Sequence, residues 1–211
     1  MYEKLWSLRK QLQHSHNLIH CITNPISMND CANAVLALGA KPIMAQHPME
    51  CEQITACSKA LALNLGNFDD SRAIAMKKSL HCANENGIPV IVDMVGAGCS
   101  DLREAFAEKL LHEGKFSIIK GNLSELKAVS GRDSHALGID VGDDDREAPA
   151  KSACTQIWYY CLVQWRGGHS NGWKADIFCR ERGFHDDALY RNRLYAECDS
   201  SSIFIRYRDC A

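Results

Sequence analysis

Three residues near the middle of the chain have the types and spacing for anion chemistry: Asp93, Gly96 and Gly98. They follow the short apolar run Pro89-Val90-Ile91-Val92, which reads as a strand buried on both faces. An aspartate at the carboxyl end of such a strand lies where open α/β sheets take ligands. Gly96 and Gly98 allow the backbone close to an anion, and a helix expected over 101–111 directs its N–H groups at it. The same Asp-x-x-Gly-x-Gly spacing also serves as plain strand-to-helix punctuation. On the residues alone, both readings stay open.

Such a turn works only if strands and helices place it. Leu5, Leu8 and Leu12, with Trp6 nearby, predict an amphipathic helix over 1–16. A strand over 18–22 runs into the polar loop Thr23-Asn24-Pro25-Ile26-Ser27-Met28-Asn29-Asp30. The next helix is expected to bury Cys31, Ala34, Val35 and Leu38 and to stop at Gly39. Strands over 41–45 and 60–65 flank a helix over 49–59, and Gly66-Asn67 closes the second strand. A long helix over 71–86 ends at Gly87. A fifth strand over 116–120 passes through Gly121-Asn122 into a helix ending near Val129. This alternation predicts an α/β fold, a parallel sheet with helices on its faces. The acidic run Asp143-Asp144-Asp145 within 131–147 reads as a solvated loop, and 147–155 as a further helix.

The bulk properties narrow the partners. A chain of 211 residues can bury a sizeable core in one domain. A formal charge of −2 without a basic stripe argues against nucleic acid and against an anionic membrane surface. The N-terminus has no continuous apolar core of a signal peptide, and no stretch approaches the roughly twenty apolar residues of a membrane span. The eleven cysteines are odd in number, scattered and free of Cys-x-x-Cys pairs. Cys21, Cys31, Cys57 and Cys82 fall in apolar patterns and read as small buried hydrophobes, which suits a reducing cytoplasm.

Four stretches together resemble hydroxyethylthiazole kinase, an enzyme of thiamine salvage with the ribokinase-like fold. They are His20-Cys21-Ile22-Thr23-Asn24 with Met28-Asn29, the run Leu36 to Ala45, Asp93 to Gly98, and Ile119-Lys120-Gly121-Asn122-Leu123-Ser124-Glu125. The resemblance is collinear over residues 14–155. It implies a ribokinase-like parallel sheet flanked by helices, and phosphoryl transfer from ATP to the primary alcohol of 4-methyl-5-(2-hydroxyethyl)thiazole. In the family, the positions of Asn24 and Met28 bind the thiazole alcohol; alternatively Asn24 caps a turn and Met28 packs in the core. Lys120 stands where the family usually has an ATP-contacting arginine, and lysine loses the two-pronged geometry. Asn122-x-x-Glu125 resembles the motif that organises Mg²⁺ and phosphate, with a helix-cap pair as its alternative. Asp93 and Glu125 would then serve the metal, and Lys120, Asn122, Gly96 and Gly98 the ATP. Met94 replaces the proline usual after the aspartate. A homotrimer is the family expectation.

Beyond Thr155 the resemblance and the composition both change. Trp158, Trp165 and Trp173 fall here, apolar periodicity fades, and the Gly-Thr-Gly-Cys turn that carries the proposed catalytic base is absent, so no catalytic residue is assigned. Cys198 lies near its place without glycines around it. The codons required by Gln156 to Cys161, read one nucleotide later, permit Lys-Tyr-Gly-Ile-Ile-Val. In the same offset Gln164 to His169 permit Ser-Gly-Glu-Val-Asp, and Tyr190 to Glu197 permit Thr-Gly-Thr-Gly-Cys. Residues 156–211 are therefore read as a frameshifted, non-homologous tail after a truncated domain over 1–155. The C-terminal part of the fold is expected to be incomplete or irregular, leaving an unpaired sheet edge. A catalytically dead remnant that at most binds the thiazole alcohol is the alternative reading, and an alcohol kinase of the same fold for another heterocycle is a third.

Overall fold

The expected alternation of strand and helix is present through residue 129. The computed structural model describes residues 2–129 and, as backbone, 160–166, 173–180, 189–199 and 202–208. The chain divides into two units, Met1–Ile91 and Val92–Ala211.

The first unit runs α1 (Tyr2–Ser15), β1 (Leu18–Ile22), α2 (Met28–Ala37), β2 (Lys41–Ile43), α3 (Cys51–Ala56), β3 (Ala60–Asn64), α4 (Asp70–Glu85) and the start of β4 (Val90–Asp93). Strand β1 lies between β2 and β3 and is parallel to both, with His20 opposite Ile43 on one side and Leu61 on the other. The Leu61 N–H donates to the Pro89 carbonyl at 3.0 Å and carries the ladder on to β4. The chain thus steps from β1 to one side and returns to the other. That reversal makes a topological switch point at the carboxyl ends of β1 and β3, the place where open sheets bind ligands.

Helix α4 shows why its sequence is helical. Arg72, Ala75, Met76, Ser79, Leu80 and Ala83 recur at three- and four-residue steps and are all buried. Asp69 caps the helix by accepting the Arg72 N–H at 2.8 Å.

His20 is fully buried in β1. Its Nε2 lies 2.8 Å from the Ala45 carbonyl and its Nδ1 2.8 Å from Thr55 Oγ1. A carbonyl only accepts, so Nε2 carries the proton. Burial holds the His20 pKa below its ordinary 6.5, against smaller upward pulls from the Ala45 carbonyl and Glu50. The unfolded chain therefore takes up a proton in acid that folded His20 resists. The stability from His20 is complete above the ordinary value and lost as pH falls from there through the lowered folded value. The Tm advantage of wild type over His20→Asn is expected to shrink between about pH 7.5 and about pH 5.5. An unchanged difference in thermal melts would contradict the assignment.

The second unit continues from the end of β4 through α5 (Asp101–Glu113), β5 (Ile118–Asn122), α6 (Leu123–Val129), β6 (Tyr160–Arg166), β7 (Trp173–Arg180), β8 (Leu189–Asp199) and β9 (Ser202–Arg208). β6 pairs in parallel with β5, placing Ile118 opposite Tyr160, and β6 to β9 then form an antiparallel meander. Phe106, Leu110, Phe116, Ile119 and Leu126 fill this unit's core.

Several expectations are corrected. The edge of β5 is paired rather than open, because residues past 155 supply β6. The doubly wound pattern nevertheless stops at α6, and no helix follows it among the described residues. The run ending in Asp93 alternates buried and half-buried positions, with Val90 and Val92 inside, instead of being buried on both faces. α2 buries none of Cys31, Ala34 or Val35, and Leu38 just past its end is half exposed; it packs on the three-residue strand β2, too short to cover a helix face. Leu8 of α1 is likewise exposed. Cys21 is buried, and its thiol is pushed up to about 11, chiefly by burial. Cys57 is exposed, and Cys31 and Cys82 are half-buried. Gly121 and Asn122 end β5, and Asn122 at the same time caps the start of α6. The acidic run at 143–145, the helix expected over 147–155 and the side chain of Cys198 lie outside the described residues.

Candidate active site

Asp93 ends β4, and Lys120 and Asn122 lie at the end of the neighbouring strand β5. Lys120 Nζ sits 2.8 Å from Asp93 Oδ2, a half-buried ion pair at the carboxyl ends of the strands. The Met94 N–H donates to the Lys120 carbonyl at 2.8 Å. Proline, which the resemblance leads one to expect at this position, has no N–H to make that bond. Met94 therefore ties the aspartate's turn to the lysine's strand by hydrogen bonding rather than by ring stiffness.

Glu125 joins the pieces. Its Oε2 accepts the Asn122 N–H at 2.8 Å, while Asn122 Oδ1 accepts the Glu125 N–H at 2.8 Å. This reciprocal capping box opens α6, so the helix-cap alternative does describe what the two residues do. A second contact goes beyond a cap: Glu125 Oε1 accepts the Gly96 N–H at 2.9 Å from the β4–α5 turn. One carboxylate thus fixes two loop segments at once. Burial pushes the Glu125 pKa up, the Gly96 and Asn122 N–H groups oppose this, and more weakly the Asp93 charge raises it and the Lys120 charge lowers it.

The two glycines of the turn have different reasons. Gly96 has φ +70°, a left-handed conformation that side chains with a Cβ resist. A Cβ on Gly98 would stand 3.1 Å from the Ala128 Cβ, so Gly98 lets the turn pack against α6.

Asn24 and Met28 belong to the first unit. Asn24 leaves the end of β1 at the switch point, half-buried. Its Oδ1 accepts the N–H groups of Ile26 at 2.8 Å and Ser27 at 3.1 Å, the turn-capping alternative. Its Nδ2 points the other way, toward Gly66 in the turn after β3. The amide can therefore cap a turn with its oxygen and still offer its nitrogen. Met28 opens α2 half-buried and is not in the core.

A sequence-family comparison decides the assignment. The hydroxyethylthiazole kinase family model matches residues 9–167, three quarters of the chain. The chain belongs to the hydroxyethylthiazole kinase family. The match runs past the limit of 155 expected from motifs alone and includes β6. Hydroxyethylthiazole kinase 2 of Clostridium botulinum strain Hall is 52% identical over 138 residues, covering 65% of this chain and 52% of that protein. The chain spans about half the length of the curated relatives it matches. Among solved structures, hydroxyethylthiazole kinase protein from Pyrococcus horikoshii OT3 superposes with TM-score 0.69 and 28% identity, over 89% of this chain and 65% of the other. Bacillus subtilis pyridoxal kinase, in an ADP complex, superposes with TM-score 0.56 at 12% identity over 84% of this chain and 74% of the other, a likeness of fold alone.

The motifs missed the Met94 bond, the Ser124 hydroxyl donating to Asn122 Oδ1 at 2.8 Å, and the turn behind Asn24. Only the last left a trace in sequence, an arginine at 72 in an otherwise apolar stripe.

Proposed function

We propose that this protein transfers the γ-phosphoryl group of ATP to the primary hydroxyl of 4-methyl-5-(2-hydroxyethyl)thiazole, a step of thiamine salvage. The observation that carries the reading is the Asp93–Lys120–Glu125 cluster at the carboxyl ends of β4 and β5, pinned to the Gly96 turn. Phosphoryl transfer asks a protein mainly for positioning and charge stabilisation. Lys120 supplies a fixed positive charge for phosphate oxygens, and Asp93 holds its ammonium in place. Glu125 keeps the Gly96 turn and the start of α6 in register, so both face the phosphates from set positions. Asn24, through Nδ2, would orient the alcohol at the switch point, with Met28 as its apolar neighbour.

Mg²⁺ fits this donor set. No group of three or more His, Cys, Asp or Glu that could cage a metal occurs among the described residues. Magnesium instead binds through one or two carboxylates and takes waters and substrate phosphates for the rest. Asp93 and Glu125 would hold it, and it would neutralise charge developing on the transferring phosphoryl group.

The test is transfer of labelled phosphate from ATP to the thiazole alcohol by the purified chain, with and without Mg²⁺. Product that depends on both supports the reading; tight binding of the alcohol without product favours the dead-remnant alternative.

Three companion proposals concern the chain's context. α2 buries no residue, Leu36 and Leu38 are about half exposed, and Ile26 and Met49 are more than four-fifths exposed. That apolar surface supports the family's homotrimer, which sedimentation equilibrium would distinguish from a monomer. The six cysteines whose side chains are described are free thiols, in keeping with a reducing cytoplasm that cell fractionation can check. No described helix is long and apolar enough to cross a membrane. Finally, residues 156–211 are read as out of frame, on the codon pattern above. A DNA read across codons 150–160 with one nucleotide more or fewer would bear this out, and an unchanged frame would reject it.

A further inference from the structure

Arg72 is a charged residue at the head of an apolar stripe. It begins the buried face that Ala75, Met76, Ser79, Leu80 and Ala83 continue, and it is 2% exposed. A guanidinium removed from water at such cost commonly meets a carboxylate in a two-pronged pair. Here it meets backbone carbonyls instead. Nη1 donates to Gly66 O at 3.0 Å and to Asn67 O at 2.7 Å, and Nη2 donates to Asn64 O at 3.1 Å. Its Nε finds no hydrogen-bond partner among the described residues, so the arrangement is not the most stable way to fill the space.

The three carbonyls belong to the last residue of β3 and to the turn that follows it. Within it the Gly66 peptide is held from both ends: its N–H donates to Asn64 Oδ1 at 2.8 Å, and its carbonyl accepts from Arg72. Gly66 is also where this turn meets Asn24. A Cβ there would stand 2.9 Å from Asn24 Nδ2 and 2.9 Å from Asn64 Oδ1. Because Asn24 Oδ1 already accepts two backbone N–H groups, the Nδ2 end alone is left to face a ligand. A ligand atom at that point must accept a hydrogen bond, as a hydroxyl oxygen or an aromatic ring nitrogen does.

We propose that Arg72 is a positioning residue for recognition of the alcohol substrate. It holds the 64–67 turn so that Gly66 backs the Asn24 amide and aims the Nδ2 hydrogens at an acceptor on the substrate. This rests on the reading that Asn24 contacts the thiazole alcohol.

The test uses the full ¹⁵N-labelled chain and three variants: Arg72→Met, Arg72→Lys and Gly66→Ala. Two quantities are read, the side-chain amide resonances of Asn24 and the dissociation constants for the thiazole alcohol and for ATP. Arg72→Met is expected to shift or broaden the Asn24 amide signals and to weaken alcohol binding about tenfold, while ATP binding changes less than about twofold. Arg72→Lys restores part of the loss, since an ammonium reaches fewer carbonyls. A folded Arg72→Met whose Asn24 signals stay in place overturns the proposal, as does a loss of alcohol and ATP binding in equal measure. Should Arg72→Met fail to fold, Gly66→Ala leaves Arg72 intact and sets a methyl group against Asn24. Its Asn24 signals must then move, and alcohol binding must weaken, or the link from turn to amide is broken. If the Asn24 signals move in these variants but the wild type binds no thiazole alcohol, the hold of Arg72 on Asn24 stands and the substrate reading falls.

Discussion

Glu125→Ala is expected to destabilise the folded chain by about 3 kcal/mol and to reduce phosphoryl transfer at least about a hundredfold. The first figure follows from two backbone donors, the N–H groups of Asn122 and Gly96, losing the carboxylate that both use. Each buried donor left unmade costs about 1–3 kcal/mol, and loss of a cap about 1 kcal/mol. Glu125 and its two donors are half-buried, so water can replace its oxygens only in part. The second figure follows from the turn. Without Oε1 the Gly96 segment is no longer tied to the start of α6, and the N–H groups proposed to meet the phosphates lose their fixed direction. Glu125→Gln keeps one acceptor oxygen but turns an NH₂ against the other donor, so it should fall between the two. Urea unfolding and a kinase assay on the same preparations check both parts. A stable but inactive Glu125→Ala would remove the structural half of this account, and a destabilised but fully active one the catalytic half.

Asn24→Asp is expected to leave the fold intact and to raise the KM for the thiazole alcohol about a hundredfold, with the KM for ATP nearly unchanged. A carboxylate keeps an acceptor for the Ile26 and Ser27 N–H groups, so the turn into α2 survives. What disappears is the donor at Nδ2. An acceptor on the substrate then faces a negative oxygen instead of an N–H, which sets repulsion where there was attraction. Asn24→Ala loses both the turn and the donor, and serves as the contrast: it should lower Tm where Asn24→Asp does not. Equal KM values for wild type and Asn24→Asp would show that Nδ2 does not reach the alcohol.

Much of this was present in the order of residues. The apolar run ending in Asp93 and the run closed by Gly66-Asn67 mark strand ends, and Gly39 and Gly87 mark helix ends, because both depend on neighbours in sequence. The boundaries that moved did so by tertiary pairing. Gly121 and Asn122 read as a helix start, yet the ladder with β6 draws them into β5. The face of α2 shows the opposite failure. Its spacing predicts a buried face of Cys31, Ala34, Val35 and Leu38, but spacing does not say what covers a face, and among the described residues nothing buries it.

By itself the sequence determined the α/β alternation, the capping pair Asn122 and Glu125, and the positions of Asp93, Lys120 and Asn24 at strand ends, since each rests on spacing within a few residues. Only the tertiary structure decided what those residues do to one another. That Glu125 reaches back to Gly96, that the Met94 N–H bonds the Lys120 carbonyl, and that Arg72 spans three carbonyls behind Asn24 are contacts made by chain crossing and strand order. Their partners lie up to 29 residues apart in Glu125 and Gly96, a separation at which local pattern carries no directional information and packing alone sets the geometry.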